Sequence, residues 1–381
     1  MTNTVGATIS RPQPNQQSQI IPKGLIYMIN KLKAYLKEKN AAALIMSEEN
    51  ICYFTSFHSS NGYLIVTGEK AYFFTDSRYI EAAQNKITSC DEVLLLKSMK
   101  EELVPFIASL GKNELFVEAE RITLSRYTEL KTLFTGVTVN GNGELDKKIS
   151  EIRTIKNREQ VNTIIKAQRI AEKAFDYILT FIKEGVTEKE VALALEYFML
   201  KNGADALSFD TIAVSGKNSS MPHGVPTDKK IEKGDFITMD YGAVCDFYHS
   251  DMTRTVAVGE VSSKQIEVYE TVLKAQEEAF RVMKAGVPTK DVDRAARDVI
   301  RNAGYGDFFG HGLGHGVGVE IHELPSLNPS STAILEAGNI VTNEPGIYLP
   351  GEFGVRIEDM ALITDDGYEN LTLSEKKLII L

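Results

Sequence analysis

Apolar residues recur at helical spacing over 24–38, which predicts a first helix. Two strand-like runs, Tyr63–Thr67 and Ala71–Thr75, are separated by Gly68-Glu69-Lys70 and read as a hairpin. Glu114–Glu118 reads as another strand, followed by a helix near 125–134 that Gly136 would end. Around 146–157 charge is dense and no apolar period stands out, which places a domain boundary between 148 and 149. Beyond it, Val161, Ile164, Ile165, Ala171, Ala174, Phe175, Ile178 and Ile182 line one face of a long helix over about 158–183. Thr187 and Glu190 form a capping-box pattern that opens a further helix, reaching about Asn202.

The second half of the chain repeats itself. Lys183–Gly203 set against Lys284–Gly304 without gaps gives seven identities in twenty-one positions, and Gly234–Gly242 (GDFITMDYG) aligns with Gly338–Gly346 (GNIVTNEPG). Two matches in the same order, at offsets of 101 and 104 residues, predict a duplicated βα unit whose halves pack about a pseudo-twofold axis. The alignment sets Asp240 opposite Glu344, and each is followed by a second acid, Asp251 and Glu358 respectively. Spacings of 11 and 14 residues suit neighbouring strands with both carboxylates on one face, and the two-residue period puts Thr238 with Asp240 and Thr342 with Glu344. Converging carboxylates repel one another unless cations or protons neutralise them.

Five of the six histidines lie between 223 and 322, and seven of the 28 glycines lie between 304 and 318, so backbone approaches something closely there. A donor set of four carboxylates and one imidazole favours manganese or cobalt over the sulfur- and imidazole-rich sites typical of zinc. Asp240 alone would be an ordinary solvated acid; its repeat partner and the histidine block change that reading. His249 reads as a polar neighbour of the site, His58 as unrelated or at the rim of the first domain, and Cys245 as a buried inert thiol. The glycine block has no phosphate-binding spacing.

Composition narrows the class. The 381 residues carry 52 acids against 42 bases, a net charge of −10, which lacks the electrostatic footprint of a nucleic-acid binder. Three scattered cysteines are no disulfide framework, and no apolar run approaches the roughly 20 residues of a membrane span. The expected location is cytoplasmic, with no nucleic-acid or membrane partner. Residues 1–21 read as a disordered tail or an extension outside the fold.

The segments MDYG with SDMTRT, GHGLGHGVGVEIHE, and TNEPGIY with GVRIED resemble the aminopeptidase P and prolidase group of metallopeptidases, and Thr75-Asp76-Ser77-Arg78-Tyr79 resembles that group's N-terminal domain. The resemblance covers about 22–381. It implies an α/β (α+β) chain: an N-terminal creatinase-like α/β domain over 22–148, then a pseudo-twofold duplicated pita-bread catalytic domain over 149–381. It also implies five metal ligands, Asp240, Asp251, His315, Glu344 and Glu358, holding two divalent ions per subunit, manganese first and cobalt or zinc as alternatives. The charges agree, since four carboxylates balance two divalent cations.

The implied reaction is hydrolysis of the bond between an N-terminal residue and a following proline. Glu344 would move the water proton, and His223 and His322 would stabilise the tetrahedral intermediate and bind substrate. His311, Tyr348 and Arg356 would complete the substrate pocket. The resemblance further implies a homodimer. An Xaa-Pro aminopeptidase is the leading expectation. The alternatives are a prolidase restricted to Xaa-Pro dipeptides and, from another class, a non-catalytic peptide-binding module on the same fold. Methionine aminopeptidase fits less well because 127 residues (22–148) precede the catalytic part, and metal-free creatinase chemistry because the ligand set is kept.

Overall fold

In the first domain, β1 (Ala42–Ile45), β2 (Gly62–Val66), β3 (Ala71–Thr75), β4 (Glu92–Leu95), β5 (Glu114–Val117) and β6 (Thr138–Asn140) form one sheet in the order β4-β3-β2-β1-β5-β6. The computed structural model describes residues 23–381, so the tail expected over 1–21 lies outside the described residues. β2 and β3 are the expected antiparallel hairpin, whereas β1 with β5, β3 with β4 and β5 with β6 run parallel. Both faces are covered, as parallel pairing requires. On one face Ala43, Ile45 and Leu64 meet α1 (Lys23–Lys39) and α2 (Glu48–Thr55). On the other, Leu44, Ile65 and Leu115 meet the helices Val104–Ser109 and Leu124–Leu133.

The charge-dense stretch read as having no apolar period is a helix, α3 (Glu144–Thr154). Leu145, Ile149 and Ile152, spaced four and three apart, form a stripe one residue wide that is buried in the first domain's core. The flanking Asp146, Lys147, Lys148, Glu151 and Arg153 hide that stripe in the sequence.

The second domain begins at α4 (Arg158–Phe181), opened by an Asn157–Gln160 capping box, and continues into α5 (Glu188–Lys201), opened by the expected Thr187–Glu190 box. A sheet of β7 (Ile212–Ser215), β8 (Phe236–Tyr241) and β9 (Met252–Ala257) follows, with β8 in the middle. Next come α6 (Ser263–Val282) and α7 (Thr289–Asn302), and a second, five-stranded sheet of β10 (Gly314–Gly316), β11 (Glu323–Leu327), β12 (Ile340–Asn343), β15 (Asp359–Ile363) and an edge strand Tyr368–Asn370. Between β12 and β15 lies a hairpin, β13 (Gly346–Leu349) with β14 (Phe353–Arg356).

The duplication extends to backbone detail. Gly185 and Gly286 sit at φ 89° and 87°, and Gly234 and Gly338 at 87° and 95°, conformations that L side chains rarely adopt. Thr187 bridges Lys230, and Pro288 bridges Ile334. The amide of Gly185 donates to Ile231 O at 2.9 Å, and that of Gly286 to Leu335 O at 2.8 Å. Each half turns an apolar helix pair against its own sheet, leaving the inner strand ends to converge. No helix among the described residues is long and apolar enough to cross a membrane.

Candidate metal centre

Asp240 stands near the end of β8, in register with Thr253 of β9, and Asp251 immediately precedes β9. Their connection is a small hairpin, Ala243–Cys245 with Tyr248–His249. In the other half Glu344 follows β12 and Glu358 precedes β15, around the register pair Asn343 and Asp359. The repeat therefore delivers two carboxylates from each half to the same place. His315 is the middle residue of β10. A Cβ on Gly314 would lie 2.2 Å from Thr342 O, and one on Gly316 2.3 Å from Leu324 O. The His–Gly alternation in the sequence thus presents the imidazole while letting neighbouring strands touch the backbone between.

His223, Asp240, Asp251, His311, His315, His322, Glu344, Arg356 and Glu358 all line one cavity of about 550 Å³. Tyr348 is buried behind it, donating to His311 Nε2 at 3.1 Å and accepting from Arg356 Nη1 at 2.8 Å. Arg356 also donates to Asp240 Oδ2 at 2.7 Å. Thr253 donates to Glu358 Oε2 at 2.7 Å, and Thr342 to Glu344 Oε1 at 3.1 Å. His315 Nε2 lies 3.6 Å from Asp251 and 3.4 Å from Glu344.

The donors are suited to a cation. A carbonyl only accepts, so the 3.0 Å contact of His315 Nδ1 with Gly316 O puts the proton on Nδ1 and leaves the Nε2 lone pair facing the carboxylates. Burial pushes the His315 pKa down to about 4, which keeps that lone pair available at neutral pH. Asp240 Oδ1 is buried without a hydrogen-bond partner among the described residues, a costly orphan unless a positive group meets it. Ligand atoms of Asp251, His315 and Glu358 lie within 4.8 Å of one another, and these three residues make a metal-binding site.

The carboxyl pKa values report the same crowding. Burial, with repulsion from Asp240, pushes Glu344 up to about 8 against the pull of Arg356. Burial together with carboxylate neighbours also raises Asp251 and Glu358 well above their ordinary values. A carboxyl raised on folding stabilises the fold below its unfolded value, 4.5 for Glu344, and that contribution fades as pH rises through the folded value near 8. The metal-free protein should therefore lose thermal stability between pH 5 and 8, and added divalent metal should raise its Tm more at pH 8 than at pH 5. Melting curves with and without metal across that range test this, and a metal effect independent of pH would contradict it.

Other side chains sort clearly. His249 is not a cavity residue: its Nδ1 meets Ser208 Oγ at 2.8 Å and its amide donates to Gly318 O. His58 pairs with Glu48 at 2.9 Å and stacks near Phe247. Cys245 is buried and free. The sequence reading missed Thr253, whose hydroxyl links Glu358 to Arg356 Nε (3.0 Å), and the cavity residues Phe209, Asp210, Ile212, Ile321, Ser326 and Asn328. Thr253 carried a usable signal, lying two residues after Asp251 in the SDMTRT segment; the others carried none, because their place at the cavity is set by how β7, β11 and the loops beside them pack.

Residues 162–365 match metallopeptidase family M24, and residues 28–155 match the creatinase/prolidase N-terminal domain. The chain is 39% identical to the Xaa-Pro dipeptidase of Pyrococcus furiosus over 92% of its own length and 99% of that protein's. Its structure is similar to that of an Xaa-Pro dipeptidase from Bacillus anthracis, with a TM-score of 0.89 and 39% identity, covering 94% of this chain and all of that one. It is likewise similar to an X-Pro aminopeptidase from Thermotoga maritima, with a TM-score of 0.86 and 36% identity, covering 92% of this chain and 100% of that one.

Proposed function

The chain belongs to metallopeptidase family M24, and from that premise we propose that it hydrolyses Xaa–Pro bonds, with Xaa-Pro dipeptides as its substrates. The observation that carries the reading is the convergence of Asp240, Asp251, His315, Glu344 and Glu358, two acids from each half of the repeat, in one cavity. These five are the proposed ligands of two divalent ions per subunit. Manganese is favoured by the oxygen-rich donor set. Bound there, the ions would polarise the scissile carbonyl and make water acidic enough to attack it.

The chain's own side chains do the rest. Glu344, held by the Thr342 hydroxyl, takes the proton of the attacking water and passes it towards the proline nitrogen. His223 and His322, exposed at the cavity wall, donate hydrogen bonds to the tetrahedral oxyanion. Arg356, Tyr348 and His311 form a hydrogen-bonded chain that fixes the far wall, where the substrate's polar backbone would dock. Phe209, Ile212 and Ile321 offer apolar surface to the pyrrolidine ring. His322→Ala should lower kcat about 100-fold without removing metal, measured by steady-state kinetics beside metal analysis.

The sequence alone ranked an aminopeptidase first. The relatives named Xaa-Pro dipeptidase support the dipeptidase alternative instead. The deciding experiment gives the metal-loaded enzyme Met-Pro, Met-Pro-Ala and Met-Ala-Ala. Fast cleavage of Met-Pro with slow cleavage of the other two is expected. Preference for Met-Pro-Ala would restore the aminopeptidase reading, and cleavage of Met-Ala-Ala alone would overturn Xaa–Pro specificity. The three free thiols support a cytoplasmic site of action.

A further inference from the structure

The loop joining β10 to β11 carries Ile321 and His322 into the cavity. The His322 side chain has no hydrogen bond to other described residues; its ring stands edge-on to that of His315, at 4.4 Å between centroids. Its position therefore follows the backbone of its loop, which its own domain holds through the Gly318 amide on Glu320 O and the Gly316–Glu323 pairing, and which the other domain grips through side chains.

His322 lies between Glu320 and Glu323, and both carboxylates are gripped by cations from the first domain and the linker. Arg153, in the last turn of α3, donates from Nη2 to Glu320 Oε2 at 2.6 Å and from Nε to Glu323 Oε1 at 3.2 Å. Its Nη1 donates to Asn50 Oδ1 at 2.9 Å, which ties it to α2. Lys156 reaches Glu323 Oε2 at 3.0 Å, and Arg121 holds Glu320 through two bonds of 2.6 Å. Glu323 in turn folds under its own loop. It accepts from the Glu320 amide at 3.2 Å and fills the space a Cβ on Gly318 would need, 2.3 Å from Glu323 Oε2. The side chains of Arg153, Lys156 and Glu323 are 5%, 2% and 4% exposed. Buried ion pairs contribute little net stability against apolar packing, but two carboxylates shared among three cations permit few geometries.

We infer that Arg153, seconded by Lys156 and Arg121, is a positioning residue for His322, so that the first domain completes the active site by fixing the Glu320–Glu323 loop. The inference rests on the reading of His322 as an oxyanion donor. Its test is a double-mutant cycle in kcat for Met-Pro hydrolysis by the manganese-loaded enzyme. Arg153→Ala should lower kcat about 10-fold with metal content unchanged, and less than about 2-fold further in a His322→Ala background. Arg153→Lys should recover part of the loss. Equal losses in both backgrounds would overturn the inference. If Arg153→Ala does not fold, Glu320→Gln, which alters a part-exposed pair, takes its place in the cycle. Histidine side-chain NMR of the zinc-loaded protein reads the same coupling without turnover. The His322 resonance, assigned with His322→Ala, should move in Arg153→Ala or Glu320→Gln while that of His58 does not. An unmoved His322 signal would overturn the inference whatever the activity, whereas a wild-type enzyme inactive on every peptide would overturn only the proposed reaction.

Discussion

Asp251→Ala is expected to abolish metal binding and Xaa–Pro cleavage together. Asp251 is buried, and its carboxylate lies with His315 and Glu358 in the three-residue metal-binding group. Without it the five proposed ligands keep three carboxylates and one neutral imidazole, too few donors and too little negative charge for two divalent ions. kcat/KM should fall at least about 1,000-fold, equivalent to about 4 kcal/mol of transition-state stabilisation. Unfolding would give the same loss, and electrostatics separates the two explanations. In the metal-free protein Asp251 is destabilising, pushed well above its ordinary pKa by burial and by Asp240 and Glu344. Metal-free Asp251→Ala should then melt no lower than metal-free wild type at pH 8, while losing the Tm gain that metal gives the wild type. Normal metal stoichiometry in the mutant would refute the site.

Gly314→Ala should be the most damaging single methyl in the site. The added Cβ would lie 2.2 Å from Thr342 O and 2.6 Å from Thr342 Oγ1. The Thr342 hydroxyl accepts from the His315 amide and donates to Glu344, so moving it displaces two proposed ligands at once. Relief requires β10 and β12 to separate, at a cost of about 3 kcal/mol or more. Metal affinity should drop about 100-fold, as it does when groups that orient ligands are lost. Gly310 is the control in the same glycine-rich block, because its Cβ would meet nothing within 4 Å. Denaturant titration and calorimetric metal binding on both variants test the pair; a Gly314→Ala protein as stable as Gly310→Ala would sink the argument.

The features behind these effects are unequally legible in the sequence. The Thr187–Glu190 capping box and the β2–β3 hairpin follow from neighbours within a few residues of one another, the duplicated halves follow from matching segments about a hundred residues apart, and all three are found in the structure. Helix α3 is not legible in the sequence, because a stripe of three apolar residues among charges looks like a linker until a sheet lies beneath it. Arg153 and Lys156 stood in that same stretch as anonymous charges.

What the sequence determined by itself was the identity and order of the converging groups. The acids sit at matching points of a repeat and the histidine sits among glycines, and period-two alternation decides which side chains share a face. What only the tertiary structure decided was which distant charges meet. Arg121 and Glu320 are 199 residues apart, and Arg153 and Glu323 are 170 apart. No local pattern encodes such a pairing, since an ion pair needs only opposite charges at contact distance, and contact is set by how two domains pack. The same packing turns the loop around His322 from a run of sequence into one wall of a cavity.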